Sequence, residues 1–391
     1  MANTAASHIV LAPFSEELVA GAARETLRAA GGRVSCAFVF ASADYQPHIE
    51  DFLEVIQLHG HVPLIVGGSA SGVIGTGVEA EHKSGFSLLF LNLPDTKLTA
   101  FEFGEDDIEA EGGPDGWHRR SGVNPGEVDA WFVLANPYRI AVDRWLHQWN
   151  DAYPRVPAIG GLASGADNAE DVFIFHDHKR VEAGGIALAL RGGVRVTPVV
   201  SQGCTPIGEP LLITGADSNV ILSLGSKPAY EALSEAFATL SDSVKERAQG
   251  NLFAGLATTE YVDDFKRGDF LIRNIIGANP DTGAVAIGDY PRVGQTMQYQ
   301  LRDRAAADED LHQRLDDAHG DGARPFASLV FCCNGRGKNL FGMANHDTAA
   351  LAKIFGPIPA GGLFCNGEIG PIGGKNFVHG YTASIALLAD A

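Results

Sequence analysis

Three short apolar runs, Val34–Phe40, Val128–Ala135 and Phe326–Cys332, are each interrupted by no more than one polar residue and are rich in Val, Phe and Leu. That pattern fits strands buried on both faces. A stretch with helical spacing follows each run. Its apolar positions are Phe52, Leu53, Val55 and Ile56 in Pro47–Leu58, then Ile140, Val142, Trp145, Leu146 and Trp149 in Tyr138–Trp149. In His346–Phe355 they are Leu351, Ile354 and Phe355. Next comes a proline-led apolar segment ending in glycines: Pro63-Leu-Ile-Val-Gly-Gly-Ser-Ala-Ser-Gly72, Pro157-Ala-Ile-Gly-Gly-Leu-Ala-Ser-Gly165 and Pro359-Ala-Gly-Gly-Leu-Phe-Cys-Asn-Gly367. The repeating unit is strand, helix, strand, glycine loop, strand.

A fainter fourth copy is expected between Asn219 and Leu301, with strand Val220–Leu224, helix Pro228–Leu240, strand Leu252–Leu256 and strand Phe270–Ile276. Two units on either side of about residue 215 predict an α/β protein of two pseudo-duplicated lobes, 1–215 and 216–391, with mixed sheets inside and helices outside. Gly104–Glu127, acidic and rich in Gly and Pro, is the expected internal linker, and Arg302–Arg324 has the pattern of a solvated helix followed by a loop. Glycine at the carboxyl end of a strand lets a ligand approach the backbone, and ligands of α/β sheets sit outside those ends. The glycine loops should therefore converge on one or two clefts.

Composition narrows the function classes. With 391 residues and 45% hydrophobic content the chain can bury a large core, and its 48 acidic against 29 basic residues give a formal charge of −19. Such a surface repels phosphate backbones and anionic lipid, which argues against nucleic acid or a membrane as partner. Five cysteines, an odd number without paired CxxC spacing, fit a reduced cytoplasmic location and no metal site. The amphipathic start is unlike a signal peptide, and no run of about 18 apolar residues occurs.

Nucleotide and nucleophile signatures fail on inspection. Gly72-Val-Ile-Gly75-Thr-Gly77 reverses the GxGxxG order, Gly373-Gly-Lys-Asn376 lacks the P-loop spacing, and Ala70 occupies the centre of Gly68-Ser-Ala-Ser-Gly72 where a nucleophile elbow needs Ser. No cofactor is implied, and no catalytic residue can be assembled from spacing alone. His59-Gly-His61 and His176-Asp-His178 are expected at turns or strand ends.

The last third of the chain is more specific. Arg273 and Asn274 interrupt an apolar strand, either facing solvent or pairing with an anionic ligand group. Phe331-Cys-Cys-Asn-Gly-Arg-Gly337 and Phe364-Cys-Asn-Gly-Glu-Ile-Gly370 are matched strand-end loops, carrying Cys333, Asn334, Gly335 and Arg336 on one and Cys365, Asn366 and Glu368 on the other. Arg, Glu and amide side chains around one pocket would suit a zwitterion such as an amino acid. Alternatively, Glu368 bonds to loop amides and holds its own loop.

Gly268-Asp-Phe-Leu-Ile-Arg-Asn274, Cys333-Asn-Gly-Arg-Gly337, Cys365-Asn-Gly-Glu-Ile-Gly370 and His379-Gly-Tyr-Thr382 resemble the C-terminal FIST domain. The segment Gly67-Gly68-Ser69 to Gly72, the Gly160-Gly161 loop and Gln202-Gly203 to Gly208 are similar to its N-terminal partner. The resemblance runs over about residues 10 to 388. Ser69 departs from the Gly-Cys seen in many relatives.

The resemblance, to a family named for F-box and intracellular signal transduction proteins, implies a sensory module for a small ligand such as an amino acid. It places Gly67, Gly68, Ser69, Gly160, Gly161 and Gly203 among the ligand-binding loops. No kinase, cyclase or F-box region is left over, so output is expected through a signalling partner in trans. The alternative is a cytosolic enzyme with Cys333 or Cys365 as nucleophile and Glu368 or His379 as its acid–base partner.

Overall fold

In each of the three strand–helix–strand stretches the two strands lie side by side and parallel: Cys36–Ser42 with Ile65–Ala70, Ala130–Ala135 with Ala158–Leu162, and Ala327–Cys333 with Ala360–Cys365. The crossover helices are Ile49–Gly60, Val142–Ala152 and His346–Phe355. A third strand runs antiparallel beside the first: Phe86–Asn92, Gly184–Arg191 and Thr382–Asp390, respectively. These features come from a computed structural model that describes residues 2–110, 112–248, 250–262 and 264–391.

The short strand after each glycine loop leaves its own module. Gly72–Gly75 of the first module pairs with Ala360–Cys365 of the third. Glu368–Ile372 of the third pairs with Ala158–Leu162 of the second, and Ile174–His176 of the second pairs with Ile65–Ala70 of the first. The donations close a ring, and all three six-stranded sheets share one strand order.

Alternation along the strands builds two layers of core. Phe38, Phe40, Phe132, Leu134, Leu329 and Phe331 point to one shared interior cluster. Their neighbours Val39, Val133 and Val330 point outward, each beneath its own helix layer. The protein is therefore α/β, with mixed sheets inside and helices outside.

Two compact units result. The first comprises residues up to Val200, Leu311–Val378 and Thr382–Ala391, and holds all three modules; the second comprises Ser201–Asp310 with His379–Tyr381. Compactness and sequence order thus partition the chain differently, because the third module's strands pair with those of the first two.

The second unit is where the expected fourth copy lies. Its strands and helix form, but Leu252–Ala257 pairs antiparallel with Phe270–Asn279 and with Thr296–Arg302, and Val220–Leu224 pairs with Cys204–Asp217 and Ala284–Ile287. With the Cys204–Asp217/Thr296–Arg302 and Phe270–Asn279/Ala284–Ile287 pairings these strands close into an antiparallel barrel. Val220–Leu224 buries only Ile221 and Leu224, whereas the parallel strand Cys36–Ser42 is buried throughout.

Smaller differences have local causes. The Tyr138–Trp149 helix begins only at Val142, since Asn136 Oδ1 accepts from the Tyr138 N–H and holds a turn there. The expected linker contains helices Glu105–Glu109 and Gly113–Ser121, and the helix Arg304–Gly320 buries Ala307, Leu311 and Leu315.

Candidate functional site

Strand register gives the three modules equivalent positions along their paired strands. Gly67, Gly160 and Gly362 lie opposite Val39, Val133 and Val330. Four residues later, where the second strands release the chain, stand Ser71, Ser164 and Asn366. Pro157 and Pro359 are equivalent in this register, whereas Pro63 sits one residue further upstream.

Loops of all three modules meet at a cavity of about 590 Å3 in the first unit. The first module contributes Ser42, Ala43, Asp44, Ala70, Ser71, His82, Lys83 and Ser84; the second Gly165, Ala166 and Asp167; the third Asn334 and Asn366. It lies at the carboxyl ends of the module strands, where an α/β sheet offers loop groups without disturbing its core.

A hydrogen-bond network fixes this wall. Ser71 N–H donates to Ser164 Oγ (2.9 Å), whose hydroxyl donates to the Phe364 carbonyl (2.5 Å). Ser71 Oγ donates to Asn334 Oδ1 (2.5 Å), and Asn334 Nδ2 donates to Asn366 Oδ1 (2.6 Å). Backbone bonds Asn334 N–H to Cys365 O and Asn366 N–H to Leu162 O, both 3.1 Å, hold the asparagines in place. The lining carries charge of both signs, Lys83 with Asp44 and Asp167, and Ser84 Oγ donates to Asp44 Oδ2 (2.6 Å).

Of the residues singled out from sequence, Asn334 and Asn366 line the cavity, and Cys333, half-buried, immediately precedes the first of them. Gly335 N–H donates to Cys333 Sγ (3.4 Å). Gly67, Gly68, Ser69, Gly160 and Gly161 build the strand exchange instead. Gly68 opposes Ile174, Ser69 Oγ accepts from Phe173 N–H (3.1 Å), and Gly161 opposes Glu368.

Arg336 is fully buried, so it is not a cavity cation. Its Nε and Nη2 each donate to Asp347 at 2.8 Å. Arg273, Asn274, Gly203 and His379 belong to the second unit. There Arg273 Nε donates to Asp289 (2.6 Å), Tyr381 Oη donates to Asn274 (2.5 Å), and the Gly203 carbonyl accepts from Asp303 N–H. Sequence reasoning missed Ser42, Asp44, Lys83 and Ser71. Aligning the glycines of the three modules would have found Ser71, the equivalent of Asn366.

The family model of the FIST N domain matches residues 35–227, and that of the FIST C domain matches residues 229–371. The chain belongs to the FIST family. An uncharacterised protein of Mycobacterium tuberculosis strain H37Rv is 34% identical to this FIST protein over 369 residues, 94% of each chain. One from Mycobacterium bovis is 39% identical over 263 residues, 67% of this chain and 68% of that one. Among solved structures, a cyanuric acid hydrolase from A. caulinodans aligns over 99% of both chains with 9% identity and a TM-score of 0.34.

In the FIST C part, Glu368 is fully buried; Oε2 accepts from Thr382 N–H (3.1 Å) and Oε1 from the Cys365 thiol (3.4 Å). Burial, only partly offset by these donors and by Arg336, pushes its carboxyl up to about 8. A carboxyl whose folded pKa exceeds its unfolded value binds more protons when folded, so stability falls as pH rises from about 4.5 towards 8. Glu368→Gln keeps the uncharged shape and should flatten that fall, being more stable than the parent at pH 8 by about 2–4 kcal/mol and nearly equal to it at pH 5. Urea unfolding of both proteins at the two pH values checks this.

Proposed function

We propose that this FIST protein is a ligand-binding sensory protein whose cavity holds one small polar molecule, of the size and charge of an amino acid, and reports occupancy to a signalling partner in trans. FIST domains are recognised as sensory domains. The observation that carries the reading is the meeting of loops from three modules around one cavity walled by amides and hydroxyls. Its volume, about 590 Å3, is in the range of small-molecule sites. Lys83, Asp44 and Asp167 among the lining residues supply a counter-charge for each pole of a zwitterion, and Asn334 and Asn366 offer both donors and acceptors.

The two sequence domains, 1–215 and 216–391, and a cytoplasmic location belong to the same proposal, the latter supported by five cysteines in the thiol form. Among the described residues no helix is long and apolar enough to cross a membrane. The cysteine-enzyme reading has less support. Burial drives the Cys365 thiol well above its ordinary value, which leaves Cys333 as the thiol placed to act.

Native mass spectrometry of the purified protein should show one retained small molecule. With that molecule in calorimetry, Asn334→Ala and Lys83→Ala should each bind about ten- to a hundredfold more weakly while circular dichroism stays unchanged. Parent-like affinity in both variants would move the site elsewhere.

A further inference from the structure

We propose that Cys333 and Cys365 are a redox modification site, forming a reversible disulfide at the root of the two asparagine loops. The two residues are direct partners in adjacent parallel strands. Neighbouring strands run about 4.8 Å apart, and a disulfide spans Cα separations of roughly 4.4–6.8 Å. Opposed residues send their side chains to the same sheet face. Cys332, one residue earlier, turns to the other face, where its thiol donates to Asp347 Oδ2 (3.2 Å). The pairing therefore selects Cys333 and excludes its vicinal neighbour.

The two thiols are unequally placed, as a peroxide-reactive and a resolving cysteine require. Cys333 is half-buried, and its sulfur accepts the Gly335 N–H, a contact that steadies a thiolate. Cys365 is buried, with its sulfur 3.4 Å from both the Cys332 carbonyl and Glu368 Oε1. Oxidation by hydrogen peroxide then proceeds in two steps. The Cys333 thiolate attacks one peroxide oxygen, the O–O bond breaks, and water leaves behind a Cys333 sulfenic acid. The Cys365 sulfur attacks that sulfenyl sulfur, the S–S bond forms, and the displaced hydroxide departs as water with the Cys365 proton. In sum, two thiols and one peroxide give one disulfide and two waters.

The cysteines are the last residues of their strands, immediately before the hydrogen-bonded asparagines. Reversal needs only a thiol reductant, which attacks one of the two sulfurs through a mixed disulfide and restores both thiols. Asn334 and Asn366 follow the two cysteines directly, so the cross-link would form beside the cavity's hydrogen-bonded amide pair.

The test is hydrogen peroxide treatment of the full chain without added ligand, followed by peptide mapping without reductant. A linked Cys333–Cys365 peptide, lost on adding dithiothreitol, is expected. Cys365→Ser should stop at a Cys333 sulfenic acid trapped by dimedone, and Cys333→Ser should give neither product. The parent protein alone can overturn the proposal, by keeping Cys365 reduced while Cys333 accumulates sulfinic acid or links to Cys332. Because no ligand enters this readout, its failure would leave the cavity reading standing.

Discussion

Replacing Gly67, Gly160 or Gly362 with alanine should leave little folded protein at all, a loss above about 4 kcal/mol at each position. A Cβ would lie 1.7 Å from the Val39 carbonyl oxygen at Gly67, 1.8 Å from that of Val133 at Gly160, and 2.0 Å from that of Val330 at Gly362. The obstacle is backbone of the paired strand, inside a sheet covered on both faces, so no side-chain rotation relieves it. Gly21→Ala is the control: it sits in the Glu16–Ala29 helix with nothing within 4 Å, and should stabilise by about 0.5–1 kcal/mol. Soluble yield and thermal unfolding of the four variants check both directions. Tolerance of alanine at any of the three would mean that the strands sit further apart than described.

Breaking the Arg336–Asp347 pair should cost about 3–5 kcal/mol, because either partner alone is a buried charge. The two halves are not equivalent. Burial raises the Asp347 carboxyl, yet Arg336 and His346 outweigh it and hold it well below the usual carboxylate range. Burial and the nearby Asp347 push Glu79 up to about 7. Arg336→Met therefore leaves two buried carboxyls facing each other, and should be the worse variant at pH 8. Without the guanidinium both carboxyls titrate above their unfolded values, so Arg336→Met should regain stability on moving to pH 5.5, whereas Asp347→Asn should regain less. Urea unfolding at the two pH values separates these outcomes, and equal losses at both would refute the assignment.

The parallel strands were legible because burial on both faces suppresses alternation, leaving runs such as Cys-Ala-Phe-Val-Phe-Ala-Ser that have little else to become. Strand donation was not legible. Gly72–Gly75 and Glu368–Ile372 are too short to carry a partner preference, and their pairing is set by which open edge lies nearest in the folded chain. At the site, the repeated Cys-Asn-Gly pointed to Asn334 and Asn366, both of which line the cavity. Arg336, in the same loop, read as a ligand contact because its partner Asp347 lies 11 residues on, at the start of a helix whose stripe gave no hint of an ion pair. Ser71 lay inside a segment set aside as a failed nucleophile elbow, although its use is to join modules.

The closed ring of donated strands also governs the order in which the chain can finish folding. During synthesis the Gly72–Gly75 hairpin emerges early, but the edge it completes arrives far later. The hydrogen bond from Ala360 N–H to Thr76 Oγ1 joins residues 284 positions apart. Until the ribosome has released the third module, the first and second each expose an unpaired strand edge flanked by apolar surface, the kind of template on which nascent chains aggregate. Nascent chains stalled before residue 360 should therefore be chaperone clients, and the cooperative unit of this first compact body is the completed trio rather than any one module.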